Sequence, residues 1–286
     1  MADRLSDRLY LGALGLLPKA LWSRAVGVAA HAPLPRPVVQ ASIKAFARAY
    51  RIDLEEAAEP VEAYSSVGDF FTRRLRPGAR TIDRRPGVAV SPADGRILNA
   101  GRIVEGRLIQ AKGRTFSVAE LLDDPAEAPA FMGGHWVTVY LSPRDYHRVH
   151  HPVEGRVTHA RYVPGQLWPV NRHGVEGVAD LFCVNERVIT HVSGPLGRVA
   201  TIMVGATSVG HITMAYDAEI QSNRGRPLAA TTYADGIAVA RGDELGVFHL
   251  GSTAIVLFAD PSVELTAREE GSAVRMGEII ARRSGR

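Results

Sequence analysis

Cys183 is the only cysteine in this chain of 286 residues. A single cysteine excludes an intramolecular disulfide and any multi-cysteine metal site. It sits in the apolar stretch Leu181-Phe182-Cys183-Val184, a setting for a buried, inert thiol rather than a nucleophile. A long hydrophobic run is missing too. No segment reaches the roughly 18 uninterrupted apolar residues of a membrane-spanning helix. The nearest, Leu9 to Ala32, is broken by Pro18, Lys19 and Arg24 and lacks a convincing signal-peptide cleavage site. Neither sign of charge dominates. The 34 basic and 30 acidic side chains leave a net +4, which does not by itself point to nucleic acid. Internal repeats and low-complexity tails are absent.

What is present is ordinary for a globular protein: 46% hydrophobic and 22% charged residues. The length suits one large domain, or one domain with an appendage. Most basic side chains are arginine, whose planar fork suits phosphate or phospholipid head groups and equally a solvated surface.

The N-terminal stretch reads as two short amphipathic helices. Leu9, Leu14, Leu16 and Leu17 feed the first, and Leu21, Trp22, Ala25, Val26 and Val28 the second. Arg4, Arg8, Lys19 and Arg24 flank them. This pattern suits helices lying in a membrane interface, with Tyr10 and Trp22 at head-group depth, or a helical hairpin packed on the core. After the break Ala32-Pro33-Leu34-Pro35-Arg36-Pro37, the spacing predicts a helix over Val38 to Tyr50, with Val39, Ile43, Phe46 and Ala47 on one face. A boundary is expected near Pro77 to Pro86. It would divide a helical region, 1–80, from a β-rich catalytic domain, 81–286.

From Val88 the texture changes to short apolar runs punctuated by Gly, Pro and Asp. Val88–Val90, Gly95–Ile97, Trp136–Leu141, Arg187–Thr190, Val199–Val204 and Ala254–Phe258 have strand lengths and β-branched content. Ser117 to Leu122 reads as a turn or two of helix. The fold class expected is α+β, with a mainly β core built as a sandwich or partly closed barrel.

Three sites carry residues suited to chemistry. Ser252 lies in Leu250-Gly251-Ser252-Thr253, just ahead of a strand-like run. A serine hydroxyl is a weak nucleophile until a base takes its proton, and an aspartate can orient that base. Asp94, in Ser91-Pro92-Ala93-Asp94-Gly95, is a candidate for the acid, although Asp-Gly is also an ordinary turn. His147, His150 and His151 cluster beside Arg144 and Asp145. His150 is the candidate base. Close imidazoles also suit a metal, with His191 or His211 as distant further ligands, but no third ligand stands out and no metal is expected.

Seven segments, in order, resemble the phosphatidylserine decarboxylases of the bacterial and mitochondrial type. They are Asp69–Leu75, Ser91–Gly95, Gln110–Gly113, Leu141–His150, Val184–Arg187, Val204–Gly210 and Leu250–Thr253. The resemblance covers nearly the whole chain. It implies that Asp94, His150 and Ser252 form a processing triad that cleaves the chain once, between Gly251 and Ser252, into a β chain, 1–251, and an α chain, 252–286. Ser252 would become a covalent pyruvoyl group forming a Schiff base with phosphatidylserine, which is decarboxylated to phosphatidylethanolamine and CO2. His147 would serve the decarboxylation step. Ser208 and His211 fall where the family varies. The resemblance also implies a heterodimer of the two self-cleaved chains, with further oligomerisation left open. It favours the interfacial reading of the N-terminal helices, hence a peripheral protein on an anionic, cytoplasmic membrane face. The alternative is a Ser-His-Asp hydrolase without self-processing, which would keep Ser252 intact.

Overall fold

The computed structural model describes Gly12 and residues 19–111, 113–207, 211–222, 230–249, 252–266 and 268–284; at 19–22 and 24 it describes the backbone. The first expected N-terminal helix with Tyr10, the side chain of Trp22, and Lys112, Ser208, Leu250 and Gly251 lie outside the described residues.

Helix α1 (Lys19–Ala30) and helix α2 (Arg36–Tyr50) bracket the proline-rich break. Pro35 and Pro37 stand at the start of α2, where a missing N–H costs nothing. Val39, Ile43 and Ala47 recur at four-residue spacing and form the buried face of α2. Val39 and Ile43 belong to a small apolar cluster with Val61, Tyr64 and Phe70. Phe70 comes from the short helix α3 (Val67–Phe71), whose N-terminus is capped by the Ser66 hydroxyl accepting from the Asp69 N–H. The other short helices are α4 (Val118–Leu122), capped by Ser117, α5 (Arg172–Gly177) and α6 (Leu181–Val184). Among the described residues no helix is long and apolar enough to cross a membrane.

Among the described residues sixteen strands accompany these helices. In chain order they begin with β1 (Val88–Val90), β2 (Gly95–Arg102), β3 (Arg107–Ala111), β4 (Arg114–Ser117), β5 (His135–Leu141) and β6 (Arg148–His150). The middle set is β7 (Gly155–Val163), β8 (Arg187–Gly194), β9 (Gly197–Val204), β10 (Ile212–Met214) and β11 (Thr231–Val239). The last are β12 (Glu244–Phe248), β13 (Ser252–Phe258), β14 (Val263–Leu265), β15 (Ala273–Val274) and β16 (Ile279–Arg283). The expected mainly β core takes the form of one eight-stranded antiparallel sheet, ordered β11-β7-β8-β9-β13-β5-β2-β15. Among the described residues three smaller sheets accompany it: β1-β16-β14, β10-β12-β6 and β3-β4.

Strand β13 lies in the middle of the large sheet and is buried along its whole length. Ala254 and Leu257 join one apolar cluster, and Val256 and Phe258 join another. A strand buried on both faces reads as a continuous apolar run, which is why Ala254–Phe258 was legible in the sequence. Cys183 sits in α6, and burial pushes its thiol up to about 12, as an inert thiol requires.

Candidate active site

Two sheets meet where the chain leaves β12 and enters β13. Strand β12 pairs with β6, Val247 opposite Arg148, and the Phe248 N–H donates to the His147 carbonyl at 3.0 Å. Four residues later Ser252 opens β13 opposite Leu141, the last residue of β5. Pairing of β13 with β9 begins one residue further on, with Thr253 opposite Val204. Ser252 therefore stands at the end of a ladder, with the histidine segment beside the chain that leads into it.

Asp94 reaches the same end of the sheet by another route. It immediately precedes β2, whose Arg96 pairs with Tyr140 of β5. Gly95 is required there: a β-carbon would lie 2.2 Å from the Tyr140 carbonyl oxygen. The segment before Asp94 crosses the histidines through two backbone bonds, His150 N–H to Pro92 O at 2.7 Å and Val90 N–H to Pro152 O at 3.0 Å. Asp94, His147, His150 and Ser252 are thus gathered at one end of the sheet.

Their hydrogen bonds differ from those of a resting Ser-His-Asp relay. The Asp94 carboxylate accepts from Arg80, Nε to Oδ1 at 2.9 Å, and from the Met276 N–H at 2.8 Å. Arg80 in turn forks onto Glu56, at 2.9 and 2.7 Å, and holds the Glu56 carboxyl below its usual range. The His150 Nδ1 lies 2.8 Å from the Gly242 carbonyl, which can only accept, so Nδ1 carries the proton. That leaves a lone pair on Nε2, 3.1 Å from the Tyr146 hydroxyl, which donates to it. Burial keeps the Tyr146 phenol protonated by pushing its pKa up, and lowers that of His150. His150 is a neutral imidazole with its basic nitrogen capped by a phenol.

The Ser252 hydroxyl is buried and has no hydrogen-bond partner. Such an atom forfeits the water it had in the unfolded chain and marks a site with a task. His147 is similar. Its Nδ1 donates to the Asp145 carbonyl at 2.8 Å, and its ring lies against Phe71 with centroids 4.1 Å apart. Its Nε2 is buried and unpartnered, and burial pulls its pKa down to about 3. The ring is therefore neutral, and Nε2 is a vacant acceptor. His151, buried with both nitrogens unpartnered, lies 6.1 Å from the Tyr216 ring. Among the described residues no three His, Cys, Asp or Glu side chains are grouped to hold a metal.

Sequence reasoning missed Tyr146 and Arg80. Tyr146 lies inside a quoted motif, four residues before His150, but nothing in that spacing marks a partner. Arg80 is one arginine among many in a loop, and its two carboxylates come from 24 residues before it and 14 residues after it.

The sequence has relatives among known proteins. The phosphatidylserine decarboxylase family model matches residues 67–282. A phosphatidylserine decarboxylase proenzyme of Myxococcus xanthus (strain DK1622) is 44% identical over 277 residues, covering 96% of this chain and 99% of the relative. One from Anaeromyxobacter sp. (strain K) is 46% identical over 279 residues, with the same coverage. One from Brevibacillus brevis (strain 47 / JCM 6285 / NBRC 100599) is 39% identical over 280 residues, 97% of this chain and 99% of the relative. Identity at that level along the whole length, with a serine, two histidines and an aspartate converging at one end of the sheet, places this chain in the phosphatidylserine decarboxylase family.

Proposed function

We propose that this chain cleaves itself ahead of Ser252 and then, as a carboxy-lyase, removes CO2 from phosphatidylserine, using a pyruvoyl group made from Ser252. The observation that carries the assignment to this serine is its buried, unpartnered hydroxyl at the head of β13, directly after Leu250-Gly251.

For self-cleavage the His150 Nε2 leaves the Tyr146 hydroxyl and takes the Ser252 Oγ proton. The Oγ attacks the Gly251 carbonyl carbon, and the acyl group passes from nitrogen to oxygen. Loss of the Ser252 Cα proton to a base expels the ester oxygen, so residue 251 ends in a carboxylate. Water then displaces ammonia from the dehydrated residue, leaving a ketone. Asp94 does not touch His150 in the resting chain. Through Arg80 and the Met276 N–H it fixes the segment against which His150 rests, and its charge favours the imidazolium as that forms.

The ketone so formed supplies an electron sink for the pair left by departing CO2. His147 moves the proton. Its Nε2 is vacant and neutral at rest, so it takes the proton that the substrate ammonium sheds and returns it to the carbon that has lost CO2.

The lipid meets the protein at the N-terminal helices. Val28 is 73% exposed, Leu34 and Val38 46% and Tyr50 43%. These apolar side chains stand exposed on and between α1 and α2, available for docking on an anionic membrane surface on its cytoplasmic side. The two cleaved chains remain a heterodimer.

The test is the intact mass of the denatured protein. Two chains meeting between Gly251 and Ser252, the smaller blocked to Edman sequencing, support the reading, as does CO2 release from phosphatidylserine. One unbroken chain whose Ser252 reacts with a fluorophosphonate would replace it with the hydrolase.

A further inference from the structure

A polar cavity of about 290 Å³ opens beside the candidate active site. It shares Asp94 and Tyr146 with that site, and Arg51, Arg73, Arg144 and Arg275 line it as well. Most of its charges are matched. Arg80 holds both Glu56 and Asp94, Arg144 lies 3.6 Å from Asp145, and Arg275 lies 3.9 Å from Glu56.

Arg51, which is exposed, and Arg73, which is buried, have no ion pair among the described residues, and only the buried one lacks water as a partner. Arg73 is 5% exposed, and its Nε and Nη1 are buried with no hydrogen-bond partner. Its Nη2 makes one long contact, 3.5 Å, to the Arg144 carbonyl. Among the described residues no carboxylate forms an ion pair with it. The guanidinium is held from below by the Phe70 ring, 5.0 Å from its carbon. A cation withdrawn from water with two donors unused is unfavourable unless an anion arrives to meet it.

Position ties Arg73 to the reaction. It leaves α3 two residues after Phe71, whose ring lies on His147. One short segment therefore sets both the vacant Nε2 of His147 and the vacant donors of Arg73. Its positive charge is felt at His147.

We propose that Arg73 is the anion-binding residue of a head-group subsite in this cavity, and that it takes the phosphodiester of the lipid substrate. The substrate offers two anions, and the chemistry separates them. The carboxylate loses its charge as CO2 departs, so a guanidinium clamped on it would favour the ground state and slow the step. The phosphodiester keeps its charge throughout and lies only a few bonds from the reacting amine. The end-on edge of the guanidinium, Nη1 together with an Nη2 whose one contact is the long one to the Arg144 carbonyl, matches two phosphate oxygens, and Nε offers a further donor.

The inference rests on the proposed reacting centre at Ser252 and His147, and the experiment separates the two. Arg73→Gln and Arg73→Lys are made in the full chain, self-cleavage is scored by mass, and the processed enzymes are assayed on phosphatidylserine in detergent micelles. Both variants are expected to cleave normally and keep kcat, with KM raised about 30-fold in R73Q and less in R73K. Glycerophospho-L-serine should compete in the wild type and lose potency by the same factor in R73Q. KM within about twofold of wild type in both variants, or kcat lost at constant KM, overturns the proposal. So does competition by inorganic phosphate with none by glycerophosphoserine, which would make this a site for free phosphate. Should neither variant process, the wild type decides. O-acetyl-L-serine, which keeps the amine and carboxylate but lacks the phosphodiester, must compete about 30-fold more weakly than glycerophosphoserine. Equal competition overturns the assignment. A wild type that cleaves but releases no CO2 from phosphatidylserine instead sinks the proposed function.

Discussion

Arg187 and Arg73 are both buried, 2% and 5% exposed, yet all three nitrogens of the first are occupied and two of the second are empty. Arg187 donates to the carbonyls of Leu121, Cys183, Asn185 and Glu120. Its surroundings are equally complete. Asn185 bonds Trp168 and Gly205, and Gln110 bonds Val175, Val178 and Leu181. At the other site Ser252 Oγ, Thr253 Oγ1 and His147 Nε2 have no partner. Both regions lie within the segments that mark the family in the sequence. A satisfied polar network cross-links loops into a scaffold, whereas unsatisfied groups are held ready for something absent from the resting chain.

The largest expected effect comes from removing the nucleophile. Ser252→Ala should abolish self-cleavage, leaving one chain on denaturing mass analysis, while melting no lower than wild type because no hydrogen bond is lost. Next, Arg187→Met should cost about 3–5 kcal/mol in denaturant unfolding, since it strands buried carbonyls. Arg73→Met should change stability by less than about 1 kcal/mol because the one carbonyl it reaches, that of Arg144, is held only at 3.5 Å. Equal losses would erase the contrast between the two regions.

Acid should sharpen it. Burial depresses His147 to about 3, and His151 and His191 to about 4, from an ordinary imidazole value of about 6.5. Between those values the unfolded chain binds protons that the folded chain refuses. Stability is therefore constant above the unfolded pKa, falls as pH drops below about 6.5, and levels off only below the folded values. Each histidine should remove about 2 kcal/mol by pH 5. His191→Phe, away from the reacting centre, should flatten that slope without altering self-cleavage; an unchanged slope would show that His191 is not a source of it. The smallest effect belongs to the exposed helices. Val28→Glu with Val38→Glu should weaken sedimentation with anionic vesicles about tenfold and leave cleavage intact.

Much of this was legible in the chain. Buried strands such as Trp136–Leu141 and Val199–Val204 announce themselves because both faces are apolar. Strands β7 and β11 do not. Arg156, His159 and Arg161 interrupt the first, and the second is a half-exposed edge with a bulge between Thr232 and Ile237. Ser252, His147 and His150 could be named from their motifs, and the structure gathers them with Asp94. Which atoms bond to which could not. Asp94 is committed to Arg80 and Met276, and His150 to Tyr146 and Gly242, through contacts set by the folded chain rather than by spacing. Arg73 stood in the sequence as one of several arginines, and only its missing partner distinguishes it.

Strand β13 carries one more consequence. Residues 252–286 supply β13, bonded on both sides by β5 and β9, as well as β14, β15 and β16. A cut ahead of Ser252 severs the covalent thread and leaves those ladders whole. The two pieces would travel together through any native separation and part only when the sheet itself unfolds. Nor would they be traded between molecules: mixing a folded, processed variant with wild type should yield no hybrids, so each small fragment keeps for life the partner it was translated with.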